Sequence, residues 1–270
     1  MRQQSSPARL LASVALMAVL AAGLGGCQTM SDITGSITTT ADPAPVATNT
    51  QRALDVYGER YRANPKDANA ALAYGEALRA NGQRAQAAAV LEQGTIANPG
   101  NKQLLGAWGR ALADNGDFQQ AFEVLSRAHS PDNPDWRILS VQGTTLDQMG
   151  RHEEAQRYYE SALKIAPGEP SVLSNLGLSY MLSKNLPMAE KMLRQAYASP
   201  KADSRVRQNL GLVVGLQGRF AEAESIVKAD LPPDQAAANV AYLREMLKGK
   251  GDIRAVAHNA TPVADLNRPD

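Results

Sequence analysis

Aromatic residues make up only 5% of this chain, and in 270 residues histidine occurs three times and cysteine once. Each shortage removes a class of protein. A single cysteine, Cys27, excludes a disulfide framework within the chain. None of His129, His152 and His258 has a second His or a Cys at metal-ligand spacing, so no metal is expected. No GxSxG, HExxH or phosphate-loop motif is present, and acidic pairs such as Glu153-Glu154 suit a solvated helix face. No catalytic residue, cofactor or small-molecule substrate is therefore assigned. The formal net charge is +1 without a basic stripe, which argues against a nucleic-acid partner. With so few aromatics, Ala and Leu, both strong helix formers, are left to fill a core.

Acidic residues are missing from one place in particular: none precedes Asp32. Arg2 and Arg9 supply a positive start, Leu10 to Leu24 is an apolar run, and small residues lead to Cys27. This pattern predicts a secretory signal over 1–26. The run is too short for a comfortable membrane span, which takes about 20 residues. Leu24-Gly25-Gly26-Cys27 resembles a bacterial lipobox, which implies cleavage before Cys27 and acylation of its sulfur and new amino group. More than one acyl chain gives a stable membrane anchor. Gln28, rather than Asp, follows the cysteine, and by analogy with bacterial lipoprotein sorting this favours the outer membrane, facing the periplasm. Residues 27–50 then read as the acylated Cys and a disordered tether, rich in Thr, Ser, Ala and Pro, reaching roughly 25–30 Å.

The rest of the chain keeps time. Gly75, Gly109, Gly143, Gly177 and Gly211 recur every 34 residues, and so do Ala87, Ala121, Ala155, Ala189 and Ala223. Leu173, Leu176, Gly177 and Tyr180 share one helical face, and Ala189, Leu193 and Ala196 another. The same markers return in the third copy (Leu139, Gly143, Leu146, Ala155, Tyr159, Ala162, Pro167) and in the second (Leu105, Trp108, Gly109, Leu112, Ala121, Leu125). A mid-helix Gly costs about 1 kcal/mol against Ala, which makes sense where another helix crosses closely; the 34-spaced Ala is expected to be its partner. Gly82, Gly116, Gly150 and Gly218 suit left-handed turns between helices, with Lys184-Asn185 in their place in the fourth copy. Pro99, Pro167 and Pro200 close second helices, and Pro131 and Pro134 interrupt the junction after the second copy, where Asp135 is a candidate helix cap.

These residues resemble the tetratricopeptide repeat (TPR) family, a helix–turn–helix unit with a 34-residue period. The resemblance implies an all-α fold, a solenoid of about five repeats over 68–232. A capping helix is expected before it over 51–67 and another after it over 233–248, where Val240, Leu243 and Leu247 share a face. Residues 249–270 read as a disordered tail. In TPR proteins certain offsets on the first helix line a partner groove. Here they hold Arg137, Ser140, Thr144 and Asp147 in the third copy, Leu178, Met181 and Leu182 in the fourth, and Arg205, Gln208, Leu212 and Leu216 in the fifth. Two uses fit the apolar members: taking an amphipathic helix from a protein partner, or packing repeat on repeat. The basic and Asn clamp with which chaperone-binding TPR proteins hold a peptide carboxylate does not appear.

A lipid-anchored, TPR-only chain with a Thr-rich tether is similar to the TadD lipoproteins of the Tad/Flp pilus system. That similarity implies a scaffold rather than an enzyme: a pilotin or assembly factor whose protein partner is the secretin or another pilus component. A TPR lipoprotein serving β-barrel assembly or cell-wall enzymes is the alternative.

Overall fold

A computed structural model describes residues 45–248, with side chains described from Gln51 onward. Among the described residues there are twelve α-helices. Five antiparallel pairs follow the 34-residue beat: α2 (Ala68–Ala80) with α3 (Arg84–Ala97), α4 (Lys102–Asn115) with α5 (Phe118–Ala128), and α6 (Trp136–Gln148) with α7 (His152–Ile165). Then come α8 (Pro170–Leu182) with α9 (Leu186–Tyr197), and α10 (Ser204–Leu216) with α11 (Phe220–Val227). α1 (Pro45–Ala63) precedes the pairs and α12 (Pro233–Lys248) follows them. α1 starts within the stretch whose composition reads as tether. A proline at the start of a helix forfeits nothing, because the first N–H groups have no intrahelical acceptor. Cys27, the signal and residues 249–270 lie outside the described residues.

The 34-spaced glycines are where the helices of each pair cross. A Cβ on Gly75, Gly109, Gly143, Gly177 or Gly211 would meet Leu91 Cγ at 2.4 Å, Leu125 Cγ at 2.5 Å, Tyr159 Cε1 at 2.6 Å, Leu193 Cγ at 2.7 Å and Val227 Cγ1 at 2.5 Å respectively. The side chain filling each gap is thus one turn beyond the 34-spaced alanine, which corrects the expected Gly–Ala pairing. The alanines serve the same crossing differently. They are fully buried or nearly so, and the carbonyls of Ala121, Ala189 and Ala223 come within 3.1–3.4 Å of the missing Cβ. Alanine lets the backbones approach, and the larger residue one turn later enters the space the glycine leaves.

The helix ends repeat as well. Asp67, Asn101, Asp135, Glu169 and Asp203 stand 34 residues apart, and each accepts a backbone N–H from the first turn of its first helix. The contacts run from 2.6 Å (Ala70 N to Asp67) to 3.4 Å (Ser171 N to Glu169). An N-cap of this kind is worth about 1 kcal/mol, so five in register fix where each repeat begins. In the turns within the pairs, Gly82, Gly116, Gly150 and Gly218 have φ between 75° and 91°. The fourth copy puts Lys184, not Asn185, in that conformation, at φ 63°. Asn185 instead caps α9, accepting from Met188 N at 3.3 Å.

Each first helix touches the next first helix, from α2 and α4 through to α10 and α12, whereas no described second helix touches another second helix. The first helices therefore lie on the inner side of the stack. They are also apolar on two sides: Ile138 and Val141 of α6 join the core shared with α2–α5, while Leu139 and Leu146 join the next. At the amino end, Leu54 of α1 is buried and Tyr61 stacks on Tyr74 with ring centroids 5.6 Å apart. At the carboxyl end, Ala236, Val240 and Leu243 of α12 are buried, Leu247 is half-buried, and Asp234 lies in the first turn of the helix.

Candidate partner-binding face

The inner face is made of the residues that the first helices do not spend on their own pairs. Its rows are read by register. The residue after each 34-spaced glycine gives Glu76, Arg110, Thr144, Leu178 and Leu212, and the row three positions later gives Arg79, Ala113, Asp147, Met181 and Gly215. The face is charged in its first two copies, polar in the third and apolar beyond.

The structure separates the residues that sequence offsets group together. Leu178 and Met181 are 7% and 1% exposed and sit in the core formed with Leu210, Val213 and Val214 of α10. They hold repeat to repeat and are not free contacts, which corrects their assignment to a groove. Leu182, Leu212 and Leu216 are half-buried, and the latter two flank that same core with one side in solvent. Gln208 is exposed, and Arg205 pairs with the cap Asp203 at 2.9 Å. Arg137 is exposed, with its guanidinium 4.5 Å from the centroid of Trp136.

Thr144 belongs to a polar cluster at the third junction. Its hydroxyl donates to Ser140 O at 3.2 Å and accepts from Tyr159 OH at 3.2 Å. Tyr159 OH also lies 3.0 Å from Asp147 Oδ2; Ser179 donates to Asp147 Oδ1 at 2.7 Å, and His152 Nδ1 is 2.9 Å from the same oxygen. Asp147 of α6 thus gathers α7 and α8. Burial raises its pKa, opposed by the bonds from His152, Ser179 and Tyr159. Burial, and then the Asp147 charge, push the Tyr159 phenol well above its ordinary value. Next to this cluster, Asn175 donates to Ser140 at 3.4 Å and Asn209 to Ser174 at 3.1 Å, two identical links between successive first helices. His129 is bound to buried Gln142, with Nε2 3.1 Å from Oε1. His258 lies outside the described residues. Among the described residues no three His, Cys, Asp or Glu side chains come together as a metal site.

Sequence offsets carried into the first two copies would have reached a further group. Arg79 of α2 donates to Asp114 of α4 at 2.7 Å, and both are largely buried. Arg110 of α4 is 13% exposed in its side chain, yet among the described residues the carboxylate it pairs with, Glu76, is 3.9 Å away and Nε is buried without an acceptor. Burial, and then the nearby Arg79 charge, pull its pKa below the ordinary guanidinium value.

Residues 47–102, 75–134 and 148–212 match the tetratricopeptide repeat family. The chain is a tetratricopeptide-repeat protein. Of solved structures, it is similar to MamA (41-end) from Desulfovibrio magneticus RS-1, at 18% identity and TM-score 0.49, over 66% of this chain and 95% of that one. YrrB, described as a TPR protein with an unusual peptide-binding site, is 12% identical at TM-score 0.49, over 70% of this chain and all of that one. The Cut9–Hcn1 structure matches 82% of this TPR chain at TM-score 0.61 and 15% identity, and the chain spans 44% of its length. At 15% identity the likeness to the Cut9–Hcn1 structure is one of fold. No curated protein matches the sequence.

Proposed function

We propose that this TPR protein is a lipid-anchored scaffold at the periplasmic side of the outer membrane. On this reading it captures a segment of the secretin of a Tad/Flp pilus and assists its assembly, as a pilotin does. The observation that carries a protein-binding role is the inner face. First helices follow one another without a break, and Leu182, Leu212 and Leu216 are only partly buried, Leu212 and Leu216 at the edge of a closed core. Burying a fully exposed leucine is worth about 1.5–3 kcal/mol, and a partner that covers what these three leave in solvent gains a fraction of that from each, as an apolar anchor of the kind that dominates protein interfaces. The membrane anchor and the pilus assignment rest on Leu24-Gly25-Gly26-Cys27, the tether composition and the resemblance to the TadD lipoproteins.

Palmitate labelling of wild type and Cys27→Ser tests the anchor: label on the wild type alone is expected, and no label on either overturns it. Deleting the gene tests the role. Monomeric or mislocalised secretin is expected, with other outer-membrane proteins at normal levels. Loss of many β-barrel proteins instead would assign the scaffold to general barrel assembly.

A further inference from the structure

The edge of the stack where one pair leads into the next carries charge that the fold does not use. The helices of a pair run antiparallel, so this edge holds the first turns of the first helices and the last turns of the second. At its amino end two loops meet, where Asn98 Nδ2 donates to Lys66 O at 3.0 Å. Arg60, Arg62, Lys66 and Lys102 lie within a few residues of that contact, and all four are exposed. Elsewhere Arg79, Arg151, Arg194, Arg207 and Arg219 each meet a carboxylate at hydrogen-bond distance. These four meet none among the described residues; Lys102 instead donates to the Ser130 hydroxyl at 3.1 Å. Two carboxylates share the same turns, Glu59 and Asp67, and Asp67 is turned inward as the cap of α2, 2.6 Å from Ala70 N. The next loop along the edge sets Arg127 and Arg137 against Asp132 and Asp135, which leaves the balance positive. Two residues before Asn98, in the last turn of α3, Ile96 is 64% exposed.

We infer that this corner of the first repeat is a contact site for an anionic lipid surface. Exposed cations without carboxylate partners keep their charge for something outside the chain, and each adds attraction to anionic headgroups. An isolated aliphatic side chain beside them gains by entering the boundary of the acyl chains while the cations stay at headgroup level. The site is made of helix ends and loop tips, which protrude. A fluid surface closes around such a protrusion, whereas a protein would need a matching pocket for Ile96. A single-stranded nucleic acid would need a free aromatic ring to stack on, and Tyr61, the aromatic residue next to Arg60 and Arg62, is stacked on Tyr74. Because the cations come from successive loops, no basic stripe is visible along the chain. The contact is separate from acylation of Cys27 and from the inner face, and it rests on neither. It sets the first repeat against the lipid and leaves the leucines of the fourth and fifth copies further along the stack.

Cosedimentation of the unacylated chain from Gln28 onward, with phosphatidylcholine vesicles containing about 30% phosphatidylglycerol, tests the contact. Binding that weakens as salt rises, and that is lost on vesicles of phosphatidylcholine alone, is expected. Arg62→Gln/Lys66→Gln/Lys102→Gln should bind about tenfold or more weakly. Arg84→Gln/Arg157→Gln/Lys191→Gln, which removes as many exposed cations from elsewhere on the fold, should bind as the wild type does. Equal weakening by the two triple variants would trace binding to net charge and overturn the site, as would wild type that binds neither kind of vesicle. Ile96→Trp should show a blue shift of its fluorescence on adding the anionic vesicles, beyond any shift of the wild type; no added shift would contradict insertion of this residue. Binding of polyglutamate without binding of vesicles would assign the corner to an acidic protein and overturn the lipid contact. All the substituted residues are exposed, and unchanged helical circular dichroism verifies that the variants fold. Leu212→Ser/Leu216→Ser should bind vesicles as the wild type does, so failure of the lipid contact and failure of the inner-face reading are told apart.

Discussion

A Cβ on Gly177 would lie 2.7 Å from Leu193 Cγ and 3.1 Å from the carbonyl oxygen of Ala189, closer than such atoms settle. The carbonyl is backbone and cannot rotate away. Gly177→Val therefore forces α8 and α9 apart and is expected to destabilise the protein by about 1–3 kcal/mol, read as a lower urea midpoint. Gly82→Ala should cost less from crowding, because nothing lies within 4 Å of its missing Cβ, although its φ of 76° still disfavours a side chain. Equal midpoints for wild type and Gly177→Val would contradict the crossing described above.

Lys184 holds a left-handed conformation that every other copy gives to glycine. That costs an L-residue roughly 1–2 kcal/mol, of which the greater freedom of glycine in the unfolded chain takes back about 0.5–1 kcal/mol. Lys184→Gly is thus expected to stabilise by about 0.5–1 kcal/mol. A Tm at or below that of the wild type would show that the lysine side chain contributes something the turn geometry does not reveal.

The repeats were legible because their signals are local and recur. The 34-residue beat of Gly and Ala, the turn glycines and the closing prolines each act within a few residues of chain. The row of caps from Asp67 to Asp203 was legible too, but only Asp135 draws attention, because it follows two prolines. Contacts between repeats were not legible. Leu178 and Leu212 occupy the same register, yet only Leu178 is closed in the core formed with α10. Nor does a sequence tell Arg79, which meets Asp114, from Arg110, whose Nε has no acceptor among the described residues.

Asp147 gives the fold a pH dependence. Its pKa is raised in the folded protein by burial. The folded state then holds the proton more tightly than the unfolded one, so stability falls as pH rises from the ordinary carboxylate range through the raised value, and levels off above it. Asp147→Asn removes that fall while keeping an acceptor for Ser179 at Oδ1; the amide NH2 that replaces Oδ2 donates to the Tyr159 hydroxyl, which can still donate to Thr144. Urea midpoints at a series of pH values from about 4 upward should show wild type losing ground to the variant as pH increases. A constant gap would contradict the charge burial. Asp147→Ala should be worse than Asn at every pH, by about 1–3 kcal/mol, because the donors around it lose their acceptor.

Arg110 is a cost to the fold rather than a support. A largely buried cation whose Nε has no acceptor among the described residues lowers stability, and Arg110→Met keeps the aliphatic packing while removing the charge. The variant is expected to gain about 1 kcal/mol without any ligand, seen as a higher Tm. A lower Tm would mean that the 3.9 Å contact with Glu76 supports the fold more than its geometry implies.

The most direct test of the central claim is the secretin itself, assayed as heat-resistant multimers in cells producing wild type, Leu212→Ser/Leu216→Ser, or no protein. Both leucines are half-buried rather than core, so the double variant should fold, which its helical circular dichroism can verify. The account predicts multimers with the wild type and their loss in the other two strains. Equal multimers in all three would contradict it.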